Sequence, residues 1–166
     1  MEHSWLAVTE SQALRFFFEH LRDVSDDSGV QERELWYNAS VLAHFATISS
    51  ASTGEHLPTP TTLHCVFNLF VLDHSHHGDP EIMEIAASQC LLFTGFFATQ
   101  SRRRHNLGWY ARLGAGFYDQ ASRAISDRSR AKIMRVMAVR FDFWRQQQMR
   151  LAEELRKLAL PLEFNK

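Results

Sequence analysis

The sequence is poor in cysteine, proline and glycine, has no apolar run long enough to span a bilayer, and carries no familiar catalytic signature. Two cysteines among 166 residues exclude a disulfide-dense secreted scaffold. Seven glycines and four prolines exclude a collagen-like repeat or a proline-rich linker. The best uncharged stretch, residues 85–101, is 17 residues long and contains Ser88, Gln89, Thr94, Thr99 and Gln100. A transmembrane helix needs about 20 apolar residues, so this stretch reads as a buried helix of a soluble bundle and no membrane partner is expected. Walker, GxGxxG, GxSxG and HExxH motifs are missing. Met1 to Trp5 lack the basic region and apolar run of a secretion signal. Cys65 and Cys90 both sit in apolar helical context, where a thiol behaves as a small hydrophobe. A reducing, cytoplasmic setting is the expectation.

What the chain does have is 45% hydrophobic and 12% aromatic residues, enough for one packed core. Its length suits a single domain over residues 1–166, burying about 70% of the unfolded surface. The hydrophobic periods are helical throughout. A first helix is predicted over residues 4–24, with Leu14, Phe17, Phe18 and Leu21 on one face, ended by the Ser25–Gly29 turn signal. A second covers residues 31–50. Leu35, Leu42 and Phe45 mark one seam, and Tyr37, Val41, His44 and Ile48 mark its neighbour, so a wide buried face is expected. Thr59-Pro60 opens a third helix carrying Leu63, Val66, Phe67, Phe70 and Val71. Asp79-Pro80-Glu81 combines an N-cap acid, an N1 proline and a first-turn carboxylate, opening a fourth over residues 80–102. A fifth covers residues 106–125, where Ala111, Gly114 and Ala115 would let another helix approach closely. A sixth runs over residues 127–158, with Ile133, Met137, Phe141, Trp144, Gln148, Leu151, Leu155 and Leu158 stepping by three or four, close to a coiled-coil seam. The fold class is therefore all-α, a bundle of about six helices with mostly antiparallel neighbours.

Charge is unevenly divided. Residues 1–100 hold three basic and thirteen acidic residues, a net −10, whereas residues 101–166 hold fifteen basic and six acidic, a net +9. All but three of the 18 basic residues are arginines, the side chain suited to bidentate pairing with carboxylates and phosphates. A basic face for nucleic acid is one reading, with Arg135, Arg140 and Arg145 as its carriers. Pairing of the acidic and basic halves with each other, within the chain or across a dimer, is favoured because the whole is nearly neutral. The Arg102-Arg103-Arg104-His105 cluster could hold an anion, but the favoured reading is that its cations complement a helix C-terminus.

Three constellations could carry chemistry. His74, His76 and His77, followed by Asp79, are candidate metal ligands, although a solvated turn with Asp79 as a cap accounts for them as well. Glu19, His20, Glu34, His44, His64 and Glu84 are scattered over helices without the Glu-x-x-His pairs of a di-iron bundle. Lone histidines such as His44 and His64 read as core residues. Trp36, Tyr37, Trp109, Tyr110, Phe117 and Tyr118, with Asn38 and Arg112 nearby in sequence, could line a pocket or fill the core.

Gly95-Phe96-Phe97, Arg102-Arg103-Arg104, Trp109-Tyr110, Leu113-Gly114 and Phe117-Tyr118 resemble the pattern of a family of bacterial all-helical proteins with no assigned activity. Leu42 and Phe45 fit that family's second helix. The resemblance covers residues 35–120 at most and residues 95–118 most closely. Ser88-Gln89 departs from an expected Gly-Asp, and Trp109 stands in place of a tyrosine. The resemblance implies a bacterial, cytoplasmic helical protein and points to the hairpin bearing Arg103, Tyr110 and Tyr118. Together these readings predict an interaction module or homodimer, with a protein partner or a second copy, no cofactor and no catalysis. Nucleic acid is a less favoured partner. The rival reading is a ligand site between the second, fourth and fifth helices, with Tyr37, His44, Arg103, Tyr110 and Tyr118 as candidate binding residues.

Overall fold

A computed structural model describes residues 10–25, 29–51, 78–102 and 106–163. Among them are seven helices and no strand: α1 Glu10–Val24, α2 Glu32–Ala51, α3 Pro80–Thr94, α4 Ala98–Ser101, α5 Leu107–Ala124, α6 Arg128–Val139 and α7 Phe141–Glu163. The all-α expectation is met. The predicted third helix and the start of the first lie outside the described residues.

Local chemistry explains four of the helix starts and the turn between α1 and α2. Gly29 adopts φ 63° between α1 and α2, a left-handed conformation that favours glycine. Asp79 caps α3 by accepting from the backbone N–H of Glu81 at 3.0 Å and of Ile82 at 3.4 Å. Asn106 caps α5 through Trp109 N at 3.1 Å. Asp127 caps α6 through Ser129 N at 2.9 Å and Arg130 N at 3.4 Å. At the start of α2 the Glu34 carboxylate reaches back to Gln31 N at 3.0 Å, the return half of a capping box.

Two predicted helices are each broken once. The helix expected over residues 80–102 stops at Thr94 and resumes at Ala98. Gly95 closes α3 with its N–H on Leu91 O at 2.8 Å, and Phe97 N bonds Leu92 O at 2.9 Å, one residue beyond the α-helical spacing. The long last helix is interrupted at Arg140, which has φ −102° and ψ 23°. Its N–H still bonds Val136 O at 2.8 Å and its carbonyl still accepts from Trp144 N at 3.0 Å, so the interruption is a one-residue kink.

The core is built from Leu21, Leu35, Leu42, Met83, Leu91, Tyr118, Met134, Met137, Trp144 and Leu151, all buried. α1 packs on α2, and α5 packs on both α3 and α6, while α7 touches α1, α3, α5 and α6. Phe93 meets Tyr110, and Gly114 lies beside Cys90, so α3 and α5 run antiparallel. By contrast, Tyr37 meets Glu84 near the start of α3, while Phe45, further along α2, shares a cleft with Leu92 near its end, so α2 and α3 run parallel. Glu34 pairs with Trp144 and Asn38 with Gln148, which makes α2 and α7 parallel as well. The last helix buries Met137, Phe141, Trp144, Gln148 and Leu151 as its spacing predicts, but Leu158 is exposed. Among the described residues no helix is long and apolar enough to cross a membrane.

Candidate functional site

Four helices bring one polar cluster together: Tyr37 of α2, Glu84 of α3, Tyr118 of α5 and Arg130 of α6. The Asp79 cap starts α3 so that Glu84 falls on its second turn, and the Asp127 cap puts Arg130 on the first turn of α6. The Tyr37 hydroxyl lies 3.0 Å from Glu84 Oε1 and 3.2 Å from the Tyr118 hydroxyl. Each phenol has one proton. Tyr37 directs its own to the carboxylate, which leaves its lone pairs for the proton of buried Tyr118. Arg130 Nη2 donates to the other oxygen, Glu84 Oε2, at 2.6 Å. Burial pushes the Tyr118 phenol well above its ordinary range. Burial raises the Tyr37 phenol too, and the neighbouring Tyr118 and Glu84 raise it further. Both therefore stay protonated at neutral pH and act as hydrogen-bonding groups, not as bases.

Tyr37 and Glu84 lie in the floor of an open groove that α2 shares with α3 and, at one end, with α6. Two adjoining clefts, about 510 Å³ and about 350 Å³, share Tyr37, Ser40 and Glu84. The larger is rimmed by Arg33, Ser129 and Arg130, with Ile133 and Met134 beneath. The smaller is lined mainly by Val41, Phe45, Ile85 and Leu92, with His44, Ser88 and Gln89 at its polar edge. From Arg33 to Phe45 the groove follows α2 for roughly 18 Å at 1.5 Å per residue. It is basic at one end and apolar at the other. Ile85, 55% exposed, stands open on its α3 wall.

A second polar cluster is structural. Glu34, buried, lies 2.7 Å from Arg140 Nε and accepts from Trp144 Nε1 at 3.0 Å. Asn38 donates to Glu34 O at 2.9 Å and receives Gln148 Nε2 at 3.2 Å. The Arg140 guanidinium also stacks over Phe143, 4.3 Å from its centroid. These contacts lock α2 to α7 and open onto neither cleft.

The sequence-based candidates fare unevenly. Tyr37 and His44 line the groove, and Tyr118 lies behind it in the core. His44 is exposed, which corrects its reading as a core histidine. The seam of Tyr37, Val41 and His44, expected to widen the buried face of α2, instead forms the groove wall among the described residues. Tyr110 packs edge-on against Phe93 at 5.3 Å and is not among the groove residues. Arg103, His64, His74, His76 and His77 lie outside the described residues. Among the described residues no group of three or more His, Cys, Asp or Glu side chains could hold a metal. Of the candidate aromatics, Tyr37 meets Tyr118 edge-on at 6.0 Å, Trp109 meets Tyr110 at 4.9 Å, and Trp36 stacks on Phe18 at 3.9 Å. Arg140 and Arg145, offered as nucleic-acid contacts, are engaged by Glu34 and by Asp142, the latter at 3.2 Å. Nothing in the sequence singles out Arg33 and Arg130, and Glu84 reads there only as one of several scattered acids. The spacing within a single helix cannot reveal which helix lies opposite.

The fold and groove define an all-α bundle with an open cleft of mixed polarity. No protein-family model, curated protein or solved structure matches the chain.

Proposed function

We propose that this protein is an interaction module whose α2–α3 groove seats an amphipathic segment of a partner protein. The change of character along the groove carries this reading: Arg33 and Arg130 at one end, Val41, Phe45, Ile85 and Leu92 at the other. A helix or short strand with an acidic residue followed by apolar side chains complements both ends. Laying an apolar helical face into such a groove is a recurrent mode of recognition, and tyrosine and arginine are the side chains that most often anchor it. An open groove suits a polypeptide better than an enclosed small molecule, which is usually surrounded on most of its surface. On the resemblance of residues 95–118, we place the module in a bacterial cytoplasm.

The test is selection of a random dodecapeptide phage library on the purified full chain, followed by measurement of the winners against Ser40→Trp. Ser40 is exposed and lines both clefts, so an indole there obstructs the groove at its middle. Peptides with an acid toward one end and apolar residues beyond it are expected, losing at least about tenfold in affinity to Ser40→Trp and nothing to Gln120→Trp on the exposed side of α5. Failure to select any binder, or binders indifferent to Ser40→Trp, would overturn the reading. A homodimer by native mass spectrometry that Ser40→Trp dissociates would give the groove to a second copy instead.

A further inference from the structure

We infer that Glu84 is an internal competitor for the acidic group of the groove's ligand, and that Arg130 is the side chain exchanged between them. The inference rests on the groove reading above. Glu84 holds two partners with its two oxygens, the Tyr37 hydroxyl at 3.0 Å and Arg130 Nη2 at 2.6 Å. The two sides of the ion pair are unequally fixed. The Glu84 side chain is 21% exposed and the Arg130 side chain 57%. Glu84 is anchored to the floor through Tyr37, which is itself held by Tyr118, while Arg130 extends from the first turn of α6 over open space. Arg130 is the exposed, loosely held member of the pair, so it can turn to an incoming carboxylate while Glu84 keeps Tyr37. Among the described lining residues Glu84 is the only acid in either cleft, and Arg33 shares the cleft with Arg130. In the free protein Glu84 therefore neutralises one of the two cations that give the basic end its preference. A ligand acid must displace it, and ligands without an acid gain nothing by doing so.

The experiment uses the tightest acidic peptide selected on the wild-type chain, labelled with fluorescein and titrated by anisotropy against Glu84→Gln, Arg130→Gln and the double variant. Glutamine keeps an acceptor for Tyr37 but gives up the charge that holds Arg130. Glu84→Gln is expected to tighten binding about fivefold and Arg130→Gln to weaken it by a similar factor, the size of an exposed pair. The tightening must vanish when Arg130 is already glutamine, because a general gain of positive charge would persist there and an exchange through Arg130 would not. Unchanged or weaker binding by Glu84→Gln, or equal tightening in both backgrounds, would overturn the inference while leaving a Ser40-sensitive groove intact. Absence of any Ser40-sensitive peptide would instead remove the groove reading and this inference with it.

Discussion

Glu34 shows what one carboxylate needs when it leaves water. It sits beneath α7 with Arg140 Nε at 2.7 Å, Trp144 Nε1 at 3.0 Å and Gln31 N at 3.0 Å. Removing one member of such a set strands the others, whereas removing both charged members can come close to neutral. Glu34→Leu is therefore expected to cost about 3 kcal/mol in urea unfolding, through the stranded guanidinium and the orphaned indole N–H. Adding Arg140→Leu should recover a substantial part of that loss. A loss below about 1 kcal/mol in the single variant would show that Glu34 is not holding α7. In the sequence Glu34 reads only as one of several scattered acids, because its partners lie 106 and 110 positions away. Tyr37 and Tyr118 were legible as polar aromatics worth attention, yet Glu84, which joins Tyr37 to Arg130, gains its meaning only from the packing of α3 beside α2 and α6.

At the scale of the helix, ends written in capping chemistry were legible and breaks imposed by packing were not. Asp79-Pro80 announces α3 because a side-chain oxygen satisfies the first free N–H groups wherever the chain goes next, whereas the Asn106 cap of α5 emerges only in the structure. The small-residue face of α5 was legible too, since Gly114 lies against Cys90 and Phe141. Gly95 sits in an apolar run with unbroken helical period, and glycine's low helix propensity is the sole local sign of a break there. The backbones of α3 and α7 also leave no room for a larger residue. A Cβ on Gly95 would lie 2.8 Å from Leu91 O and 3.1 Å from both Arg145 Cα and Arg145 O. All of these are backbone atoms, which cannot rotate away. Gly95→Ala should consequently cost about 1–3 kcal/mol despite alanine's better helix propensity. A thermal melt no lower than that of the wild type would mean that the α3–α7 crossing is looser than this contact implies. Arg140 is the counterpart on α6–α7. Arginine is a good helix former, so the kink there follows from tertiary contacts, with the side chain lying against Glu34 and Phe143.

Across the whole molecule the division of charge becomes contact between the halves. Two ion pairs join the acidic and basic halves within one chain, Glu34 with Arg140 and Glu84 with Arg130, while the remaining pairs among the described residues lie within the basic half. The same core holds three weak acids, Cys90 and Tyr118 fully buried and Tyr37 partly so. Burial pushes the Cys90 thiol up to about 12 and raises the Tyr37 and Tyr118 phenols well above their ordinary range. In the unfolded chain these groups ionise near their usual values of about 8.5 and 10. Above those values the unfolded state releases protons that the folded state retains, so it binds fewer protons and stability falls as pH rises. The stabilisation is complete below about pH 8. The thiol begins to erode it between about pH 8 and 9 and the phenols add to the slope above pH 10, each approaching about 1.4 kcal/mol per pH unit. Melting temperatures followed from pH 7 to 11 should therefore fall more steeply above pH 10 than between pH 8 and 9. Cys90→Ala should flatten the first part of that decline and Tyr118→Phe the second. Parallel curves for the wild type and Tyr118→Phe above pH 10 would show that the phenol is not held neutral by the fold, and would count against the Tyr118–Tyr37–Glu84 chain as the fixed floor of the groove.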